Sequence, residues 1–158
     1  MRKMILLLVL VSLAALGAAG AALAASGGKF EAGLTGGGEV PAVETAATGE
    51  ADFELEDGVL EYELEAADIE NVTVGHIHLG PADGVGPPVV DLISQEACEF
   101  EEDEVECEGS ITGADLAGPL AGRSLDDLLA EMRRGNTYTN VHTVRNPGGE
   151  IRGQNLPD

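Results

Sequence analysis

Between Ala51 and Ala66 the chain reads ADFELEDGVLEYELEA, with apolar and acidic residues alternating almost one for one on both sides of an Asp-Gly pair. On a strand successive side chains point to opposite faces, so a period of two writes a half-buried β-ribbon and excludes a helix. With Asp57-Gly58 as the two central residues of the turn, Leu55 falls opposite Leu60 and Phe53 opposite Tyr62. Both apolar sets then share one side of the ribbon, and Glu54, Glu56, Glu61, Glu63 and Glu65 face water. A ribbon with one apolar face has to be covered, and the sequence supplies more ribbon to cover it. Phe30, Ala32 and Leu34 alternate before Gly36-Gly37-Gly38. Val72 to Leu79 and Val89 to Ile93 flank the Pro/Gly loop GPADGVGPP. Short alternating strands between turn signals predict an all-β sandwich or barrel.

One stretch departs from that period. In SLDDLLAEMRRG the residues Leu125, Leu128, Leu129 and Met132 line one face at helical spacing. Ser124 caps the start, with Asp127 three residues on, and Gly135 stops the end. The spacing predicts a single short helix in a connection, packed on one edge of the strands.

The two ends of the chain differ in kind. Met1-Arg2-Lys3, the apolar run from Met4 to Ala24 and the small-x-small triplet Ala22-Leu23-Ala24 read as a secretory signal peptide over residues 1–25. One domain then spans residues 29–156, secreted or held outside the cytoplasm in the periplasm or cell envelope. Loss of Arg2 and Lys3 with the leader takes the formal charge from −21 to −23. Such a charge excludes nucleic acid and anionic membrane as partners, since both need basic patches. It leaves cations, basic surfaces, and a protein or cell-surface ligand of undefined identity. The two cysteines suit an oxidising compartment. In ACEFEEDEVECEG, a hairpin looping at Glu101 to Glu104 sets Phe100 opposite Val105 and Cys98 opposite Cys107, which predicts a disulfide between them.

Three histidines are the whole supply, and they fall on two strands. His76 and His78, at i and i+2, share a face with Cα atoms about 7 Å apart, within reach of one metal ion. Ile77 and Leu79 take the opposite, buried face. His142 lies in NTYTNVHTVRNPGGEIRGQ, with Tyr138 and Asn140 on its face. Taking Pro147-Gly148 as the turn centre pairs Arg145 with Glu150, Val144 with Ile151, Thr143 with Arg152 and His142 with Gly153. Three imidazoles on one face suit copper, zinc, iron or nickel. The bland alternative is that the rings hydrogen-bond to the backbone and close one end of the fold. No Gly-x-Ser-x-Gly elbow occurs, the Gly-rich TGGGEVP lacks the Lys and helix of a phosphate loop, and no carboxylate spacing matches an EF-hand.

Three segments in this order, LTGGGEVPAV, GHIHLGPADGVGPPVVDL and GNTYTNVHTVRNPGGEIRGQ, resemble the CHRD domain, named after chordin and found in many bacterial secreted proteins. The resemblance runs from Phe30 to Leu156. Ala42 departs from it where the family often has a second Pro, and the Cys pair is not a family hallmark. The resemblance implies an immunoglobulin-like, Greek-key β-sandwich with limited similarity to Cu/Zn superoxide dismutases, and no established activity. In those dismutases a His-x-His strand and a later Val-His strand ligate copper, so the resemblance implies His76, His78 and His142 as copper ligands. The bridging histidine and the zinc ligands have no counterpart, which excludes a dinuclear site, and Arg152 is the nearest candidate for a guiding arginine. Two expectations follow. The first is a non-enzymatic extracytoplasmic binding or envelope-associated module; the second is a mononuclear copper protein, carrier or minimal redox enzyme.

Overall fold

The acidic ribbon forms in the expected register. In the computed structural model, which describes residues 28–94 and 96–158, β2 (Thr48–Glu56) and β3 (Val59–Ala67) pair Leu55 with Leu60 and Phe53 with Tyr62. Asp57 and Gly58 both take positive φ, 48° and 85°, as a two-residue turn that follows the strand twist requires. The expected signal peptide, residues 1–25, lies outside the described residues.

Around this hairpin stand β1 (Lys29–Thr35), β4 (Val72–Leu79), β5 (Pro88–Asp91), β6 (Cys98–Phe100), β7 (Glu104–Ile111), β8 (Thr137–Thr143), β9 (Ile151–Gln154) and the short β10 (Leu156–Pro157). They are hydrogen-bonded as one curled antiparallel sheet in the order β5-β4-β8-β9-β1-β2-β3-β7-β6, with β10 also on β1. The curl brings distant strands together: Tyr62 Oη on β3 donates to the Leu92 carbonyl just beyond β5, at 2.7 Å. Inside the curl Phe30, Leu34, Phe53, Leu60, Leu64, Ile77, Val141 and Ile151 form one continuous core. The alternation of the sequence puts them there, since every second residue of β1 and β3 is buried.

The helix α1 (Leu125–Arg133) lies where its periodicity predicts, with Leu128, Leu129 and Met132 buried. Ser124 N–H and Oγ–H both donate to Asp127 Oδ2, at 3.0 and 2.8 Å, which closes its first turn. At its end Gly135 has φ 64°. The all-β class with one short helix in a connection is therefore the architecture of this chain.

The closing hairpin differs from its expected register. The observed pairs are Val141 with Ile151, Asn140 with Arg152, Thr139 with Gly153 and Tyr138 with Gln154. His142 is thus not opposite Gly153, and Arg145 does not pair with Glu150. The loop is longer than a two-residue turn because buried side chains close it. Glu150 Oε2 accepts from Thr143 Oγ1 at 2.6 Å and from Asn146 Nδ2 at 2.8 Å, while Oε1 accepts from Thr45 Oγ1 at 2.7 Å. Glu150 N–H reaches back to the Val141 carbonyl at 2.8 Å. A carboxylate accepting three hydrogen bonds defines the loop, so the Pro-Gly pair only rounds its tip.

Cys98 and Cys107 are bonded, and they are cross-strand partners on β6 and β7, as are Phe100 and Val105. Closing this nine-residue separation restricts the unfolded chain by about 2–3 kcal/mol in the loop-entropy treatment. The Cys98→Ser, Cys107→Ser double variant is expected to unfold at lower urea, by about that free energy, in a chemical denaturation series.

Glu150 gives a second test. Burial pushes its carboxyl upward, but hydrogen bonds from Thr143, Thr45 and Asn146, with the Arg145 charge, bring it below the ordinary carboxylate value of 4.5. A depressed folded pKa means that the unfolded state binds the proton first as pH falls. The stabilisation from Glu150 is therefore present above about pH 4.5 and lost below it. Glu150→Gln is expected to lower the melting temperature at pH 7 and to reduce its fall between pH 5 and pH 3, read by thermal unfolding monitored by circular dichroism.

Candidate metal centre

Pairing of β4 with β8 builds one polar patch from alternate residues. Val74 lies opposite His142, His76 opposite Asn140 and His78 opposite Tyr138, and β9 adds Arg152 opposite Asn140. These side chains share a face because they sit at i and i+2 on each strand. The opposite face carries Ile77, Val141 and Ile151 into the core. All seven residues of β8 are buried, so the polar face is covered too. Its cover consists of three connections, each reaching it through a named contact: Glu39 before β2, Gly86 between β4 and β5, and Pro147 between β8 and β9.

The structure brings the three histidines together. Ring centroids are 5.1 Å apart for His76 and His142, 5.3 Å for His76 and His78, and 6.1 Å for His78 and His142. One ring nitrogen from each lies within 4.8 Å of the others. His78 and His142 are buried, and His76 is the most open, its side chain 17% exposed.

The backbone fixes which nitrogen is free. His142 Nδ1 is 2.9 Å from the Pro147 carbonyl, and a carbonyl can only accept, so Nδ1 carries the proton and Nε2 keeps its lone pair. His78 Nδ1 is likewise 2.8 Å from the Gly86 carbonyl, and its Nε2 is buried with no hydrogen-bond partner. His76 Nε2 faces the Asp91 carboxylate at 3.4 Å, which turns Nδ1 toward His142 Nε2, also at 3.4 Å. These tautomers are assigned from the acceptors. With the protons of His78 and His142 on Nδ1, their Nε2 atoms keep lone pairs, the arrangement that metal-ligating histidines adopt.

Electrostatics favour the neutral forms of His76 and His78. Burial, with His142 beside it, lowers the His76 pKa against the opposing pull of Asp91. Burial also lowers the His78 pKa, against the Gly86 carbonyl that favours the charged ring. A neutral imidazole is the form that binds a metal.

Beneath the cluster lies a stack. Tyr138 packs on His78 with centroids 4.8 Å apart and planes 9° from parallel. The Arg152 guanidinium lies over the Tyr138 ring, 3.4 Å from its centroid. Arg152 also donates to the carbonyls of Pro81 at 2.9 Å and Ala82 at 3.3 Å. It is 3% exposed, so the nearest candidate for a guiding arginine is a buried clamp. The covering loop approaches closely because residue 86 is glycine: a Cβ there would stand 1.7 Å from the Leu79 carbonyl oxygen.

The other expected site residues, Cys98 and Cys107, form the disulfide away from this patch. Sequence reasoning missed Glu39, which is buried beside Asn140, Arg152 and His142 and whose carboxyl is raised by that burial. A lone acid inside the Gly-rich TGGGEVP was its one signal. The Gly86 and Pro147 carbonyls had none, since any residue carries a carbonyl. Among the described residues two further groups could hold a cation, Glu31, Glu50 and Asp52, and Glu63, Glu65 and Glu106, both on exposed strand faces. No described helix is long and apolar enough to cross a membrane.

The family model for the CHRD domain matches residues 30–155. No curated protein and no solved structure matches the chain.

Proposed function

The chain belongs to the CHRD family of extracellular-type domains, and on that premise we propose that it is a small extracytoplasmic binding module whose ligand is one copper ion, held by His76, His78 and His142. The observation that carries this reading is the convergence of three ring nitrogens within 4.8 Å of one another, with His78 Nε2 buried and unpartnered. An all-imidazole set suits copper, zinc, iron and nickel, and copper(II) stands highest among the divalent ions in intrinsic affinity. Bound copper would supply a redox-active Lewis acid. The remaining work belongs to the chain. The Gly86 and Pro147 carbonyls hold His78 and His142 in the required tautomers, and the Tyr138 and Arg152 stack keeps the His78 ring from turning. Exchange with solvent runs past His76, whose neighbour Asp91 is exposed. The basic-then-apolar run of residues 1–25 supports export to the periplasm, envelope or medium as a cleaved leader.

Within this reading a carrier is favoured over a redox enzyme. A dismutase-like enzyme draws its substrate with a positive charge at the mouth, whereas Arg152 is buried and committed to Tyr138, Pro81 and Ala82. The formal charge of −21 also repels anionic substrates.

Titrating the metal-free protein with Cu(I), Cu(II) and Zn(II), beside a His78→Ala variant, tests the proposal. One copper per chain is expected, with a dissociation constant below about 1 μM. At free copper a hundredfold above that constant, thermal unfolding is expected to reveal about 2.7 kcal/mol of added stability. His78→Ala is expected to weaken binding at least about tenfold. Absence of sub-micromolar binding, or binding indifferent to the substitution, would overturn the three-histidine copper site and leave a module whose ligand is undefined.

A further inference from the structure

Asn140 lies between His142 and Glu39, and its amide cannot satisfy both. It is 2% exposed. Nδ2 points toward Glu39 Oε1 at 3.5 Å, and Oδ1 stands 3.0 Å from His142 Nε2. The His142 proton is on Nδ1, facing Pro147, so Oδ1 and Nε2 are two acceptors in contact. Turning the amide over would give His142 a donor but would set Oδ1 against the Glu39 carboxyl, which repeats the conflict wherever that carboxyl is ionised. Gly149 makes the room for this pair. A Cβ on it would stand 2.3 Å from Glu39 Oε1 and 2.8 Å from Asn140 Nδ2.

Two acceptors facing each other at this distance are stable when one cation lies against both. Two ligand atoms each about 2.0–2.2 Å from a common ion are about 2.8–3.6 Å apart at angles from a right angle to tetrahedral. The Asn140 Oδ1 to His142 Nε2 separation of 3.0 Å falls in that range, as does the 3.4 Å between His76 Nδ1 and His142 Nε2. We propose that Asn140 supplies a fourth ligand atom, Oδ1, to the ion held by the three histidines, and that Glu39 is the positioning residue that fixes which way the amide faces. This inference rests on the metal-binding reading above. It also assigns a specificity. A carbonyl oxygen is a hard ligand, so it strengthens binding of Zn(II), Co(II) and Cu(II) and does little for soft Cu(I).

The experiment uses the exported protein with Zn(II), Co(II) and Cu(I) as probes. Asn140→Ala is expected to weaken Zn(II) and Co(II) binding by about 10–100-fold. It should leave Cu(I) affinity within about threefold, and change the visible Co(II) spectrum because one oxygen ligand is lost. Asn140→Asp, which keeps an oxygen in place, is expected to restore divalent binding and the parent spectrum. If Asn140→Ala does not fold, Asn140→Asp decides alone: uniformly weakened binding of all three ions overturns the proposal. An Asn140→Ala protein with unchanged divalent affinity and spectrum, or with equal losses for Cu(I) and Zn(II), also overturns it while leaving the three-histidine reading intact. Failure of the parent protein to bind any of the three ions overturns both.

Discussion

Seven consecutive residues of β8, Thr137 to Thr143, are buried, although five of them are polar. A strand covered on both faces has no water to satisfy its side chains, so each polar group must find a partner in the protein or be left at a cost. On the core side the partners come from the strand's own neighbourhood. Thr139 Oγ1 donates to Asn155 Oδ1 at 2.8 Å, and Asn155 Nδ2 donates to Thr137 Oγ1 at 3.2 Å. On the other side they come from three connections, through Glu39, Gly86 and Pro147. The positions of those loops are therefore consequences of β8 as much as causes of the site, and the histidines inherit their orientation from this double burial.

The acidic half of the sheet obeys a different rule. Across β2, β3 and β7 like charges stand directly opposite one another: Glu50 and Glu65, Asp52 and Glu63, Glu65 and Glu106, Glu63 and Glu108. Such pairs destabilise a sheet. The Glu63 carboxyl is accordingly pushed up by loss of hydration on the crowded strand face and by Glu65, Glu108, Glu106 and Asp52. The ribbon persists because the alternate residues Ala51, Phe53, Leu60, Leu64 and Cys107 are buried on its inner side. Side-chain area removed from water at about 25 cal/mol per Å² outweighs repulsions that water and salt screen. The negative field that remains raises the local concentration of cations around the whole domain.

Local patterns were legible in the sequence wherever the pattern itself determines the contact. Alternation about Asp57-Gly58 determines the pairs of β2 and β3, alternation about the Glu101 to Glu104 loop places Cys98 on Cys107, and the spacing of Leu125, Leu128, Leu129 and Met132 determines the buried face of α1. The shared face of His76 and His78 follows from the same period. The closing hairpin was not legible, because its loop is shaped by Thr143, Asn146 and a distant Thr45 converging on Glu150, and no two-residue turn rule contains that information. Glu39 was hidden for the same reason. It stands 101 residues before Asn140 in the chain, and only the curl of the sheet joins them. The place of Arg152 was likewise not legible, because its partners, the Tyr138 ring and the carbonyls of Pro81 and Ala82, are brought to it only by the curl of the sheet.

A histidine cluster can serve the fold or bind an ion, and hydrogen-bond accounting separates the two. In a structural cluster each ring places both nitrogens, one donating and one accepting, so that burial leaves nothing unpaired. Here the donating nitrogens of His78 and His142 are placed on Gly86 and Pro147, and His142 Nε2 lies 3.4 Å from His76 Nδ1. His78 Nε2 has no partner, and His142 Nε2 faces a second acceptor, Asn140 Oδ1. Leaving one buried polar atom unsatisfied costs about 1–3 kcal/mol, and the opposed pair adds to that. On the metal-binding reading proposed above, a bound ion would remove that cost. An ion that accepts lone pairs does so for all of these atoms at once, whereas a hydrogen-bonding side chain would answer only one of them.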